Sequence, residues 1–163
     1  GHFNGVATVV TRLFSIIEPN MTTFGEKDAQ QLRIVQYLNT SLKLGIDIIP
    51  IPTVREPDGL AISSRNVRLS PGEREAARVL HRSLLAAQKS WGAGERNGFV
   101  LRESMASVLA REPLAVTDYA SIADADTFKE VEVATEPVRA LVAVNIGNTR
   151  LIDNVLLGQL LNP

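Results

Sequence analysis

Two short runs hold most of the side chains that could do chemistry. Residues 24–32 read Phe-Gly-Glu-Lys-Asp-Ala-Gln-Gln-Leu, and residues 61–66 read Ala-Ile-Ser-Ser-Arg-Asn. In the first, Lys27 stands in a turn before a helix, where free N–H groups and the helix dipole already favour an anion and the ammonium adds a full charge. Gly25 lets the backbone approach a ligand closely. Asp28 either caps the helix through its carboxylate or receives a ribose hydroxyl. Gln30 and Gln31 fall in the first helical turn and can donate and accept at once, which suits a substrate carrying both hydroxyl and carboxylate. In the second run, Ser63 and Ser64 offer hydroxyls and Arg65 a guanidinium fork shaped for bidentate phosphate contact. The plain alternatives are a glycine turn followed by a capped helix with solvated charges, and an ordinary polar loop. Two phosphate-like sites flanking one strand–helix–strand unit favour a polyphosphate ligand. A Lys and an Arg on opposite sides would neutralise a transferring phosphate by position and charge.

Other candidates are weaker. His2 could meet a carboxylate or phosphate, or be no more than a terminal residue. His81, within a helix and followed by Arg82, reads as a surface residue. Two histidines this far apart give no metal-site spacing, and no nucleophile-elbow pattern supports a Ser-His-Asp triad. Arg55, Glu56 and Asp58 read as a local ion pair in a loop; Arg150, Asp153 and Asn154 read as structural. Net charge is −1, without the basic excess of a nucleic-acid binder. Cysteine is absent, which removes disulfides, thiolate metal sites and a Cys nucleophile and fits a reducing compartment. No apolar run approaches the roughly 18 residues that span a bilayer, and the first residues lack a signal-peptide pattern.

The elements that must position these residues follow from periodicity. Hydrophobic residues make up 45% of the 163, enough for a packed core in one domain or two small ones. Val6, Val9, Val10, Leu13, Phe14 and Ile17 follow the spacing of one buried helical face, with a strand as the rival reading because of the β-branched content. Pro19 and Asn20 end it. Met21 to Phe24 is a strand candidate, Asp28 to Leu42 a helix with Leu32, Val35, Leu38 and Leu42 along one face, Gly45 a stop, and Ile46 to Ile51 a buried parallel strand. This is one βαβ unit with the Lys27 turn at the carboxyl end of its first strand, the edge where open α/β sheets bind ligands. Pro52 to Asn66 reads as a junction loop. Ser70, Pro71 and Glu73 form a capping box for a helix expected to run to about Ser90, with Ala77, Leu80, Leu84 and Ala87 inward. A further helix spans Asn97 to Ala110, a strand Val116 to Ile122, and a hairpin Arg139 to Asn145 and Thr149 to Leu157 around Ile146-Gly147-Asn148. The fold class is α/β: residues 1–52 as the incomplete tail of a Rossmann-type domain, and residues 53–163 as a small α+β domain with two helices and a three-stranded antiparallel sheet.

These residues together resemble the pantothenate synthetase (pantoate–β-alanine ligase) family. Gly1-His2-Phe3, Gly5-Val6 and Thr8-Val9-Val10 look like its Pro-Gly-His-Phe-x-Gly-Val segment. Phe24 to Leu32 looks like its nucleotide loop, Pro52 to Ala61 with Ser63-Ser-Arg-Asn66 and Leu69-Ser70 its interdomain signature, and Thr149 to Asn154 its last hairpin. The resemblance implies a two-step reaction: pantoate attacks the α-phosphate of ATP, accompanied by Mg2+, to give pantoyl adenylate and pyrophosphate, and the β-alanine amine then displaces AMP. It implies that Gly25, Lys27 and Asp28 contact phosphate and ribose, Val54 the adenine, and Gln31 pantoate. Ser63, Ser64 and Arg65 would hold phosphates as a Lys-Met-Ser-Lys-Ser loop does in related nucleotidyltransferases, and His2 would lie near the acyl-phosphate. Ile62 stands where the family is expected to carry Met beside the adenine, and Ala29 where it often has Tyr. The resemblance covers the later part of the family's sequence; its His-x-Gly-His motif, most of the sheet and a second pantoate Gln belong to an N-terminal half, so this chain alone is expected to be a poor enzyme. A cytoplasmic homodimer is implied for the full-length protein.

Two alternatives stay open on sequence. Another adenylate-forming or nucleotidyl-transferring enzyme of the same superfamily would share the Lys and Ser-Ser-Arg roles but use a different acid. A non-catalytic folding or association module would be indifferent to Lys27 and Arg65.

Overall fold

The structure, a computed structural model, describes residues 1–135 and 137–159. It divides into two compact units, Gly1–Thr53 and Val54–Pro163.

The first unit is a helix followed by a βαβ turn. α1 spans His2–Ile17, β1 Met21–Gly25, and α2 Ala29–Ser41, entered through a single 3-10 turn over Glu26–Asp28; β2 spans Asp47–Ile51. The strands pair in parallel from Met21↔Asp47 to Gly25↔Ile51. Asn39 fixes the return from α2, because its side chain donates to Ile46 O (2.7 Å) and accepts from Ile46 N (3.1 Å). Phe14, Val35 and Ile46 form the core with Val10, Phe24, Leu44 and Ile48 around them, and Phe14 meets Phe24 edge-on at 6.5 Å.

Helical periodicity in the first segment outweighs its β-branched content, but the expected buried face is split. Phe14 is buried and Val10 half-buried, whereas Val9, Leu13 and Ile17 are exposed. Leu42 is likewise exposed, and in β2 no residue is buried. A two-stranded sheet with this little helical cover cannot bury every apolar position that an all-parallel sheet ordinarily would.

In the second unit a meander of antiparallel strands carries the helices. α3 spans Pro71–Ala76, α4 Val79–Gly92, α5 Gly98–Leu109, β3 Ala115–Asp124, β4 Val138–Ile146 and β5 Thr149–Leu156, in sheet order β3-β4-β5. The capping box forms: Ser70 Oγ accepts from Glu73 N, and Glu73 Oε2 accepts from Ser70 N at 2.8 Å. The helix expected to run on to Ser90 is interrupted at Ala77–Arg78, where the ladder tightens and Arg78 N and Leu80 N bond to residues three positions back. Arg74, in α3, and Arg78, at the break, both reach Asp58. Ala77, Leu80, Leu84 and Ala87 are fully buried, packed with Leu101, Met105, Val142 and Val144 into the main core.

Gly98 opens α5 where the loop through Val131 and Glu132 crosses it. Its N–H donates to Glu132 O at 2.7 Å, and a Cβ there would lie 2.1 Å from Val131 O. Helix propensity favours alanine at most helical positions, yet the contact here is backbone against backbone. Gly98→Ala is therefore expected to lower stability by about 1–3 kcal/mol, the range for overpacking, read as a reduced urea midpoint with an unchanged m-value. An equal or raised midpoint would show that the crossing gives way freely.

Candidate nucleotide and acid sites

The first unit places its candidates around the carboxyl end of β1. Gly25 closes the strand at φ −72°, and a Cβ there would meet no other atom of the described residues within 4 Å. Neither backbone angle nor internal packing requires glycine there, and the position is open to solvent. Lys27 lies half-buried in the 3-10 turn and Asp28 is exposed just before α2. Asp28 makes no side-chain cap bond to the helix, which removes the capping role and leaves its carboxylate facing solvent. Gln31, one turn on, is half-buried and shares an open concave surface of about 480 Å³ with Gly1, His2, Gly5, Val6, Val9 and Val10. Thus two residues proposed from distant parts of the sequence, His2 and Gln31, line one depression. Its wall is largely apolar α1, which suits a small acid with an aliphatic body.

The second unit builds its candidates on a tight hairpin-like loop. Ile62 N donates to Val54 O at 3.0 Å, Glu56 N to Leu60 O at 2.9 Å, and Arg55 bridges Ala61 in antiparallel fashion. Val54 and Ile62 therefore stand as direct neighbours across the loop, both well exposed (61% and 50%). Two adjacent solvated apolar side chains make a small platform for a flat ring. The chain then turns: Ser63 Oγ accepts from Arg65 N at 3.2 Å, Ser63 O accepts from Asn66 N at 3.0 Å, and Asn66 Nδ2 donates to Ala61 O at 3.1 Å. Ser64 and Arg65 are exposed, and the Arg65 guanidinium donates to Arg150 O at 3.4 Å. Arg150 is held by Asp118, which the bulge in β3 leaves unpaired in the sheet, at 2.9 and 2.7 Å. Two hydroxyls and a guanidinium thus follow directly after an exposed apolar pair.

Beneath this loop lies a feature that the sequence reading misplaced. Arg55 makes no local ion pair; it reaches across the unit to Asp153 in β5, Nη1 to Oδ2 at 2.6 Å and Nη2 to Oδ1 at 3.0 Å. Both side chains are 2% exposed. Arg55 Nη1 also donates to Gly59 O at 3.1 Å, and Asp153 Oδ1 accepts from Asn154 N at 2.8 Å. Asp58 pairs with Arg74, whose hydrogen bond holds the carboxyl below the usual aspartate range. Gly59, at φ +91°, is the turn residue, and a Cβ on it would fall 2.2 Å from His81 Cδ2.

His81 is consequently half-buried rather than a surface residue, and its Nδ1 has no hydrogen-bond partner among the described residues. Burial lowers its pKa, reinforced by the nearby Arg55 charge and opposed by Asp153 and Asp58. The folded form then binds fewer protons than the unfolded chain over the window just below pH 6.5, so stability falls as pH falls through it. His81→Gln, which cannot titrate, is expected to flatten the loss of urea stability between about pH 7.5 and 5.5. Identical slopes for the two proteins would rule this out.

Comparison with known proteins places the chain in a family. The sequence profile of the Pantoate-beta-alanine ligase family matches residues 1–156. A pantothenate synthetase of Roseiflexus sp. (strain RS-1) is 54% identical over 157 residues, covering 96% of this chain and 56% of that protein. The chain belongs to the pantoate-beta-alanine ligase family. Rubrobacter xylanophilus has a pantothenate synthetase 50% identical over 158 residues, covering 96% of this chain and 54% of that protein. The crystal structure of pantothenate synthetase from Thermus thermophilus superposes with a TM-score of 0.92 at 41% identity, covering 96% of this chain and 56% of that one. The pantoate-beta-alanine ligase of Francisella tularensis, solved with beta-gamma ATP and beta-alanine, gives a TM-score of 0.70 at 32% identity, with 96% and 51% covered. The chain thus spans about half the length of the ligases it matches. Among the described residues, no helix is long and apolar enough to cross a membrane. Lys27 falls in the first unit of this chain, and Ser63, Ser64 and Arg65 fall in the second.

Proposed function

We propose that this chain forms the part of an ATP-dependent pantoate–β-alanine ligase that holds the nucleotide and the acid. The observation that supports it best is the loop in which Val54 and Ile62 stand side by side immediately before Ser63, Ser64 and Arg65, in a chain whose family match runs from residue 1 to 156. The pantoate carboxylate attacks the α-phosphorus of ATP, and the bond to the bridging oxygen breaks to release pyrophosphate. The β-alanine amine then attacks the acyl carbon of pantoyl adenylate, loses a proton, and AMP departs with the bonding pair.

Each residue has a role that its surroundings support. Val54 and Ile62 pack against adenine. Asp28 accepts from a ribose hydroxyl, and Gly25 lets the nucleotide lie against the backbone. Lys27, Ser63, Ser64 and Arg65 contact phosphates, where fixed positive charge and donors are worth most as charge builds in the transition state. Gln31 binds pantoate on the apolar wall of α1, and His2, on the same surface, lies beside the acyl-phosphate. Mg2+ arrives with ATP on its phosphate oxygens. The full-length enzyme works in the cytoplasm as a homodimer.

The test joins this chain to a relative. In a chimera, its residues replace the matching 157 of the Roseiflexus enzyme. AMP release from Mg-ATP is expected to require both pantoate and β-alanine. The 163-residue chain alone, which contains no His-x-Gly-His sequence, is expected to release no more AMP than its Lys27→Ala variant, since catalytic groups that act as a unit fail together. A folded chimera that releases no AMP would sink the ligase reading. Lys27-dependent turnover by the chain alone would sink the claim that it needs more.

A further inference from the structure

The Arg55–Asp153 pair ties the loop that carries the proposed nucleotide contacts to β5, and both of its side chains are buried. Burying two full charges is expensive, and a pair of this kind is a poor route to stability compared with apolar packing of similar volume. What it supplies is geometry. The guanidinium fork is bidentate on Asp153 and bonded to Gly59 O, so one planar group ties the start of the loop, its turn and β5 together. The far side of the same loop is tied by Asn66 to Ala61 O and by Arg65 to Arg150 O. Arg150 lies three residues before Asp153 on β5. One strand thus anchors the loop at both its base and its phosphate-facing end. Asp153 Oδ1 accepts a further bond from Asn154 N.

We infer that Asp153 and Arg55 are positioning residues for the nucleotide: the buried pair holds loop 54–62 on β5 so that Val54, Ile62 and the Ser63–Arg65 turn keep one geometry. The role in catalysis rests on the ligase reading above; the holding of the loop does not.

The experiment uses Arg55→Met/Asp153→Leu, which replaces the pair by apolar groups of similar size, so that loss of folding does not obscure the result. In the 163-residue chain, hydrogen exchange at the amides of Glu56, Gly59 and Ile62, each a donor within the loop, is expected to speed up at least tenfold while amides of β4 and β5 keep their protection. In the chimera, the KM for ATP is expected to rise about tenfold or more with the KM for β-alanine unchanged; differential binding of this kind separates a nucleotide effect from a general one. Unchanged exchange in the loop would overturn the inference. A loosened loop with an unchanged KM for ATP in an active chimera would overturn the positioning role while leaving the ligase reading intact. An inactive parent chimera would count against the ligase reading alone, because the exchange result still decides whether the pair holds the loop.

Discussion

Lys27→Ala is expected to reduce kcat/KM for ATP in the chimera by about 10²–10³-fold, the usual cost of removing one preorganised electrostatic contact from a transition state. Lys27 stands half-buried at the junction of β1 and α2, where the helix N-terminus already favours an anion. A neutral side chain there leaves the dipole but loses the full charge. Arg65→Ala should have an effect of the same order. Arg65→Lys should recover only part of it, because the ammonium keeps the charge but not the fork that reaches two oxygens together. Steady-state assays at varied ATP and fixed pantoate and β-alanine separate these outcomes. If Lys27→Ala changed the dependence on pantoate but not on ATP, the phosphate role would be wrong and the turn would belong to the acid. By contrast, Ile62→Met exchanges apolar groups of similar size on an exposed platform and should leave ATP kinetics nearly unchanged.

Why these residues could be singled out from sequence, and others could not, follows from the range of the forces involved. Helix capping is local: Ser70, Pro71 and Glu73 are adjacent in the chain, and the box they signal forms as read. The hairpin around Gly147 and the parallel strands either side of α2 are similarly encoded in short patterns. The interruption at Ala77–Arg78 carries no glycine or proline, and Arg78, with Arg74 of the preceding helix, meets Asp58 from the loop before it. Periodicity identifies α1 as a helix but cannot say which of its apolar residues are buried, and Val9, Leu13 and Ile17 stay largely exposed. His81 looked exposed because its neighbour is Arg82; it is covered by Gly59, whose approach depends on a positive φ in another segment. Within the candidate site, Ser63, Ser64 and Arg65 were legible as a run of types. The direct pairing of Val54 with Ile62 needed the fold, although Asp58-Gly59 marks the turn that creates it.

Asp153 shows the same limit most sharply, and it leads to the largest expected change in stability. Its partner is 98 positions away, so no local pattern connects them, and each residue alone reads as an ordinary charged side chain. Removing one member leaves the other charged and buried at 2% exposure. Asp153→Leu or Arg55→Met singly should therefore cost about 3–5 kcal/mol, whereas the double replacement should lie near the parent or somewhat above it. The coupling in a double-mutant cycle, measured by urea unfolding of the 163-residue chain, should accordingly be large and of the sign that makes the double variant better than the sum of the singles. Additive losses would mean that the two charges are satisfied separately, Arg55 by Gly59 O and Asp153 by Asn154 N. In that case the pair would not be the tie between loop and strand. Stability recovered in the double variant without recovery of loop protection would instead separate the two properties: apolar packing can replace the pair energetically, but only the bidentate contact, with its fixed plane and its third bond to Gly59, specifies where the loop lies.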